Sequence, residues 1–194
     1  MSFGSRSQPT RTAILEAARR RFAADGFERA TIRAIAADAG IDPAMVMRYY
    51  GSKRGLFEAA ADIDLELPDL TRVPRPEVGT TLVRHFVDLW EGEATEEALV
   101  VLFRSAITDE VAAERLRAIF GRQVGMTLAA VVEDPGEAPT RAGLVSSQLL
   151  GLALCRYILR LPPVAALDAD ALVASVAPTV QRYLTGPLYG RPDD

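Results

Sequence analysis

Residues 31–50, TIRAIAADAGIDPAMVMRYY, constrain the fold of this chain more than any other stretch. Thr31 is a side-chain acceptor suited to capping a helix, and Ile32, Ile35, Ala36 and Ala39 follow the i, i+3, i+4, i+7 spacing of one buried helical face. Gly40 is the residue type that ends such a helix. Asp42 and Pro43 then form the favoured pairing of N-cap and first helical residue, and Gly51-Ser52 closes the run that follows. Two short helices joined by Ala-Gly-Ile have the size and spacing of a helix-turn-helix.

The same periodicity extends through the chain, and no alternating β-branched run bounded by turns marks a strand. The expected fold class is all-α, with about nine helices. After a loose arm of ten residues, a helix runs from Thr10 to Asp25 with Ile14, Ala18 and Phe22 on one face and Gly26 as its stop. A fourth helix runs from Lys53 to about Leu67. LPDLTRVPRPE, residues 67–77, holds three prolines in eleven residues and reads as a hinge. Five further helices are expected at roughly 77–91, 95–107, 109–133, 140–161 and 168–184. Thr95 and Thr108 each precede acids, as capped helix starts do. Pro178 should kink the last helix, and the tail TGPLYGRPDD should fray.

Charge divides the chain. Residues 1–60 hold ten Lys and Arg against six Asp and Glu, a net of +4; residues 61–194 hold twelve against twenty, a net of −8. A basic first third on an acidic remainder fits a protein of which only that part meets a polyanion. Between Asp42 and Glu58 there is no acid, while Arg48, Lys53 (the only lysine) and Arg54 all lie there. The third helix, about eight residues or ~12 Å long, matches the width of a B-DNA major groove. Its inward face is Val46 and Tyr50, packing on Ile35 and Phe22. Pro43, Ala44, Met47 and Arg48 then face outward, with Met45 and Tyr49 at the flanks. Arginine can grip guanine bidentately, alanine and methionine can meet thymine methyls, and a tyrosine hydroxyl can reach a phosphate. Lys53 and Arg54 open the fourth helix, where the dipole disfavours a cation unless an external anion sits there.

RTAILEAARRRFAADGFERATIRAIAADAGIDPAMVMRYYGSKRGLFEAA resembles the N-terminal DNA-binding domain of the TetR family of transcriptional regulators. The shared elements are A-x-x-x-F-x-x-x-G-F, then T-I-x-x-I-A-x-x-A-G-I, then Y-Y-x-S-K-x-x-L-F, in one register over about fifty residues. The resemblance implies that Thr31 and Arg33 contact phosphate and base from the second helix. It places Pro43, Ala44, Met45, Met47, Arg48 and Tyr49 at the reading positions of the third, and Lys53 on a phosphate. Met47 replaces the usual aromatic and Tyr49 a frequent histidine, so base preference is not inherited from relatives. It further implies a bacterial, cytoplasmic homodimer that binds an operator in double-stranded DNA and a small-molecule effector, without a cofactor. The domains expected are a helix-turn-helix domain at 1–60, a connecting helix at 53–67, and an effector-binding and dimerisation domain at 68–194.

The second part offers little for catalysis. It holds the single histidine, His85, and the single cysteine, Cys155, with no C-x-x-C or H-E-x-x-H spacing. G-x-x-x-G at 121–125 reads as close helix packing. The N-terminus lacks an apolar signal region, a lone cysteine fits a reducing interior, and the greasiest window, 144–161, carries Gln148, Arg156 and Arg160, which disfavours a membrane span. Phe86, Leu89 and Trp90 share a face beside His85, and Phe103 and Met126 could close an apolar effector pocket on them. Leu144, Gln148, Leu152 and Cys155 form one stripe, and Val173, Val176 and Val180 mark a helix apolar on two sides. These are the expected dimer surface; the resemblance implies a four-helix bundle there across a two-fold axis. Two other readings stay open: a helical small-molecule binder or enzyme whose first helices are only structural, and a regulator gated by a partner protein.

Overall fold

In a computed structural model, which describes residues 7–92 and 96–188, every regular element is helical. The elements are α1 (Ser7–Arg29), α2 (Ile32–Ala39), α3 (Pro43–Tyr50), α4 (Lys53–Ala60), α5 (Val78–Glu91), α6 (Glu96–Ala106), α7 (Glu110–Ile119), α8 (Gly125–Ala129), α9 (Ala138–Ala153), α10 (Pro162–Ala165) and α11 (Ala169–Thr185). Single 3₁₀ turns occupy Leu70–Arg72 and Arg75–Glu77, and π-helical turns occupy Phe120–Val124 and Leu154–Ile158. The first six residues of the expected arm, the tail from residue 189 and the Thr95 cap lie outside the described residues. No described helix is long and apolar enough to cross a membrane.

The chain divides into two compact units: Met1–Asp64 with Glu93–Arg117, and Leu65–Gly92 with Ala118–Asp194. In the first, Ile14, Ala17, Ala18 and Phe22 of α1 are wholly buried with Ile35 of α2, Val46 of α3, Leu56 and Phe57 of α4 and Leu102 of α6. Phe57 meets the rings of Phe22 and Phe27 edge-on, at 5.1 and 5.2 Å between centroids, a favourable quadrupole geometry. Gly26, at φ 74° and ψ 170°, breaks α1, and the chain resumes for one more turn to Arg29. Gly40, at φ 66° and ψ 31°, ends α2 in the left-handed region.

α4 stops at Ala60, seven residues before its expected end, and residues 62–69 have no regular structure. The cause is in the sequence. Asp62-Ile63-Asp64-Leu65-Glu66 alternates acid and apolar with period two, and Ile63 and Leu65 are buried while the acids are exposed. The carbonyl of Ala61 accepts from Nε of Arg115 at 3.3 Å, and the Asp62 carboxylate pairs with the same guanidinium.

In the second unit α5 and α11 pack closely through Gly79. A Cβ there would stand 2.8 Å from the Ala177 carbonyl oxygen and from the Gln181 backbone nitrogen. Gln181 also accepts the Gly79 N–H at 2.7 Å and donates to the Arg75 carbonyl at 3.0 Å, filling a cap that α5 lacks in its own side chains. Arg141, only 7% exposed, pairs with Glu137 and donates to the carbonyls of Tyr183 and Gly186 at 2.6 and 2.9 Å. A cation at the C-terminal end of α11 opposes its dipole favourably.

Other expectations shift in detail. Residues 109–133 and 140–161 are each interrupted by a π-turn and end early. Asp109, not Thr108, caps α7, accepting the Ala112 N–H at 3.0 Å. α11 carries Pro178 in its interior without a break. The G-x-x-x-G at 121–125 spans a π-turn and the start of α8, and its glycines pack on no other described helix: a Cβ at Gly121 would meet nothing within 4 Å, and one at Gly125 only the Phe120 carbonyl oxygen at 3.5 Å.

Candidate nucleic-acid interface

The short helices of the N-terminal unit are held by caps the sequence spells out. Thr31 Oγ1 accepts the Ala34 N–H at 3.2 Å, Asp42 Oδ1 the Ala44 N–H at 2.7 Å, and Ser52 Oγ the Gly55 N–H at 2.9 Å. Each satisfies an N–H that helix geometry leaves without a partner. With Asp42 and Gly51 fixing its ends, α3 turns Val46 into the core at 0% exposure. Pro43, Ala44, Met47 and Arg48 are exposed, Met47 at 44%, and Met45 and Tyr49 are half-buried.

Four arginines of this unit are ion-paired. Arg21 bridges Asp25 and Asp38, Arg54 bridges Glu58 and Glu114, Arg115 pairs with Asp62, and Arg117 pairs with Glu110. The hydrogen bond from Arg21 holds the Asp38 carboxyl below its usual range. Among the described residues, no carboxylate lies within ion-pair distance of Arg11, Arg33 or Arg48, all exposed. Arg33 stands in the first turn of α2 beside Thr31, whose hydroxyl keeps its own hydrogen after accepting from Ala34.

Tyr49 and Tyr50 have different surroundings. Tyr50 is half-buried, donates its hydroxyl to the Arg11 carbonyl at 3.4 Å, and has its phenol pKa raised by burial. Tyr49 carries the Arg11 guanidinium over its ring, 5.1 Å from the centroid. Lys53 and Arg54 have internal partners, which revises the argument that their helix start awaits an external anion. Lys53 Nζ donates to the carbonyls of Phe27 and Glu28, at 2.9 and 3.1 Å, and lies 4.5 Å from the Phe27 ring centroid. It therefore ties the start of α4 to the last turn of α1. Sequence reasoning missed this because α1 was expected to stop at Gly26, whereas it runs on to Arg29 and leaves the carbonyls of its last turn open.

In the second unit, Phe86 and Trp90 are buried and Leu89 half-buried, and Tyr157 joins them. Trp90 and Tyr157 stack at 4.9 Å with 8° between planes, and Phe86 lies 6.4 Å from Tyr157. The π-turn brings Tyr157 and Arg156 together onto Glu91. Burial first, then the Glu91 charge, pushes the Tyr157 phenol up to about 12. Met126, expected in this group, is 67% exposed on α8, and Phe103 belongs to the first unit. His85 donates from Nε2 to the Leu65 carbonyl at 2.7 Å, while the Leu65 N–H donates to Gln123 at 2.8 Å. Both backbone groups of the second unit's first residue are thus held by side chains. Of the expected dimer residues, Leu152, Val173 and Val180 are buried within one chain, and Leu144, Gln148, Cys155 and Val176 are half-buried. No group of three or more His, Cys, Asp or Glu among the described residues could hold a metal ion.

Two short capped helices, the second buried on one face and presenting on the other an Arg48 that no described carboxylate engages, are the arrangement of a helix-turn-helix DNA-binding protein. Residues 14–60 match the family described as "Bacterial regulatory proteins, tetR family", and residues 76–184, over half the chain, match "Tetracyclin repressor-like, C-terminal domain". The chain belongs to the TetR family of transcriptional regulators. It is 33% identical to a TetR-family regulator from Streptomyces coelicolor whose crystal structure covers 92% of this chain and 96% of its own at a TM-score of 0.67. It is also 33% identical over 111 residues to the HTH-type transcriptional regulator UidR of Escherichia coli K12, covering 57% of this chain and 54% of UidR. The chain thus spans about half the length of the curated relatives it matches. NalD, the secondary repressor of the MexAB-OprM multidrug efflux pump in Pseudomonas aeruginosa, shares the fold at a TM-score of 0.68, 24% identity and coverage of 92% and 97%.

Proposed function

We propose that this protein is a ligand-responsive repressor whose homodimer binds a palindromic operator and is released by a small-molecule effector. The observation that carries the DNA half is the outward face of α3, with Met47 and Arg48 exposed and Arg48 unengaged by any described carboxylate. In this reading Arg48, Met47, Ala44, Pro43 and Met45 read bases, and Thr31, Arg33, Tyr49 and Lys53 hold the backbone. The first sixty residues form the DNA-binding domain and residues 68–194 the effector and dimer domain. The aromatic group of Phe86, Trp90 and Tyr157 beside Leu89 supports an effector with an aromatic or flat apolar body. Leu144, Gln148, Cys155 and Val176, half-buried in one chain, support a second copy docking on α9 and α11. The test is a retardation assay with the DNA upstream of the protein's own gene. Retardation that an excess of unrelated duplex does not compete away supports the reading, and equal competition by any duplex contradicts it.

A further inference from the structure

We propose that Arg11, on α1, is a further contact to the DNA backbone, held beside the recognition helix by the tyrosine pair that ends it. The inference rests on the DNA-binding reading above and adds to it a residue outside the helix-turn-helix itself. Two contacts join Arg11 to α3: its guanidinium carbon sits 5.1 Å from the Tyr49 ring centroid, and its carbonyl accepts the Tyr50 hydroxyl at 3.4 Å. The exposed guanidinium therefore shares the end of α3 with Arg48, one turn of helix before the Gly51 stop. A guanidinium set over a ring keeps its five N–H donors at the rim, where a phosphate can take two of them. Absence of a carboxylate does not by itself select Arg11, because Arg20 is also exposed without an ion pair among the described residues. The aromatic support next to α3 does. It also gives a physical reason for tyrosine at position 49, where the ring fixes a neighbouring cation in addition to offering its own hydroxyl.

Affinities of wild type, Arg11→Gln, Arg11→Lys and Tyr49→Ala measured against salt test this, on a duplex recovered by selection from a randomised pool and on a random-sequence duplex. Arg11→Gln should weaken both duplexes alike, by about tenfold at low salt, and reduce the slope of log affinity on log salt by about 0.9. Arg11→Lys should keep most of the slope, and Tyr49→Ala should reproduce part of the Arg11→Gln loss while leaving Arg48 in place. Thermal unfolding shows that each variant is folded, and Gln retains the backbone carbonyl that Tyr50 uses. An unchanged slope in folded Arg11→Gln, or a loss confined to the selected duplex, overturns the backbone role. Wild-type protein with no salt-dependent binding to either duplex overturns the DNA-binding reading and this inference together.

Discussion

Arg48 and Lys53 lie five positions apart in one basic run, and their surroundings separate their roles. Arg48 is exposed and engages no carboxylate among the described residues, so Arg48→Ala should leave stability unchanged while relaxing discrimination at one base per half-site by about 1–3 kcal/mol. Lys53 holds two α1 carbonyls and the Phe27 ring, so Lys53→Ala should cost about 1–2 kcal/mol of folding free energy in addition to any loss of DNA affinity. Urea denaturation checks this: equal midpoints for Lys53→Ala and wild type would contradict the tie to α1. Tyr157 gives a pH test with a defined sign. Its phenol is raised to about 12 against an unfolded value of about 10, so the fold favours its neutral form. That stabilisation is complete below about 10 and is lost as pH rises through the folded value. Tyrosinate absorbance should show a step at about 12 that Tyr157→Phe removes, and the same substitution should flatten the alkaline loss of stability. A step at about 12 that survives in Tyr157→Phe would contradict this assignment. The candidate DNA face was legible at this scale because exposure on a short capped helix follows from residue spacing. The partners of Lys53 and Arg11 were not, since both are tertiary contacts to α1.

Among the elements, the capped helices α2 and α3 were legible because Thr31, Gly40, Asp42-Pro43 and Gly51 each supply a local reason for a boundary. The misjudged end of α4 came from reading a period-two stretch as helix, although its alternating acids carried the correct signal. The π-turns were not legible. An extra residue per turn shifts the apolar period without changing composition, which is how Tyr157 reached Trp90 unnoticed. Helix glycines give a paired prediction. Gly79→Ala drives a methyl into the backbone of α11 and should destabilise by about 1–3 kcal/mol. Gly143→Ala, exposed with nothing within 4 Å of the new carbon, should stabilise by about 0.5–1 kcal/mol. Thermal melts that shift both variants the same way would contradict the close α5–α11 contact. The Leu65 clamp gives a second test: Gln123→Ala should speed exchange of the Leu65 amide hydrogen, whose acceptor it removes, and an unchanged rate would show that another group protects it.

For the whole molecule, the proposed repressor needs two chains to place two α3 helices on one operator. Gly151 is exposed on α9 next to the Gln148 and Leu152 turn, and a Cβ there meets nothing within 4 Å, so a charge can be added without disturbing the chain's own packing. Gly151→Glu should keep its helix content yet sediment as a monomer. A Gly151→Glu protein that stays dimeric would move the interface elsewhere. Leu152→Glu is a poorer probe, because Leu152 is already 8% exposed inside one chain and its loss would damage the fold. The central claim, that a two-fold dimer reads sequence through α3, is tested most directly by selecting binders from a randomised duplex pool with wild-type protein and with Arg48→Ala. The account predicts an inverted repeat for wild type, its half-site centres one or more helical turns of about 34–36 Å apart, and loss of one symmetric base position with Arg48→Ala. No enrichment, an asymmetric site, or an unchanged site with Arg48→Ala would contradict it.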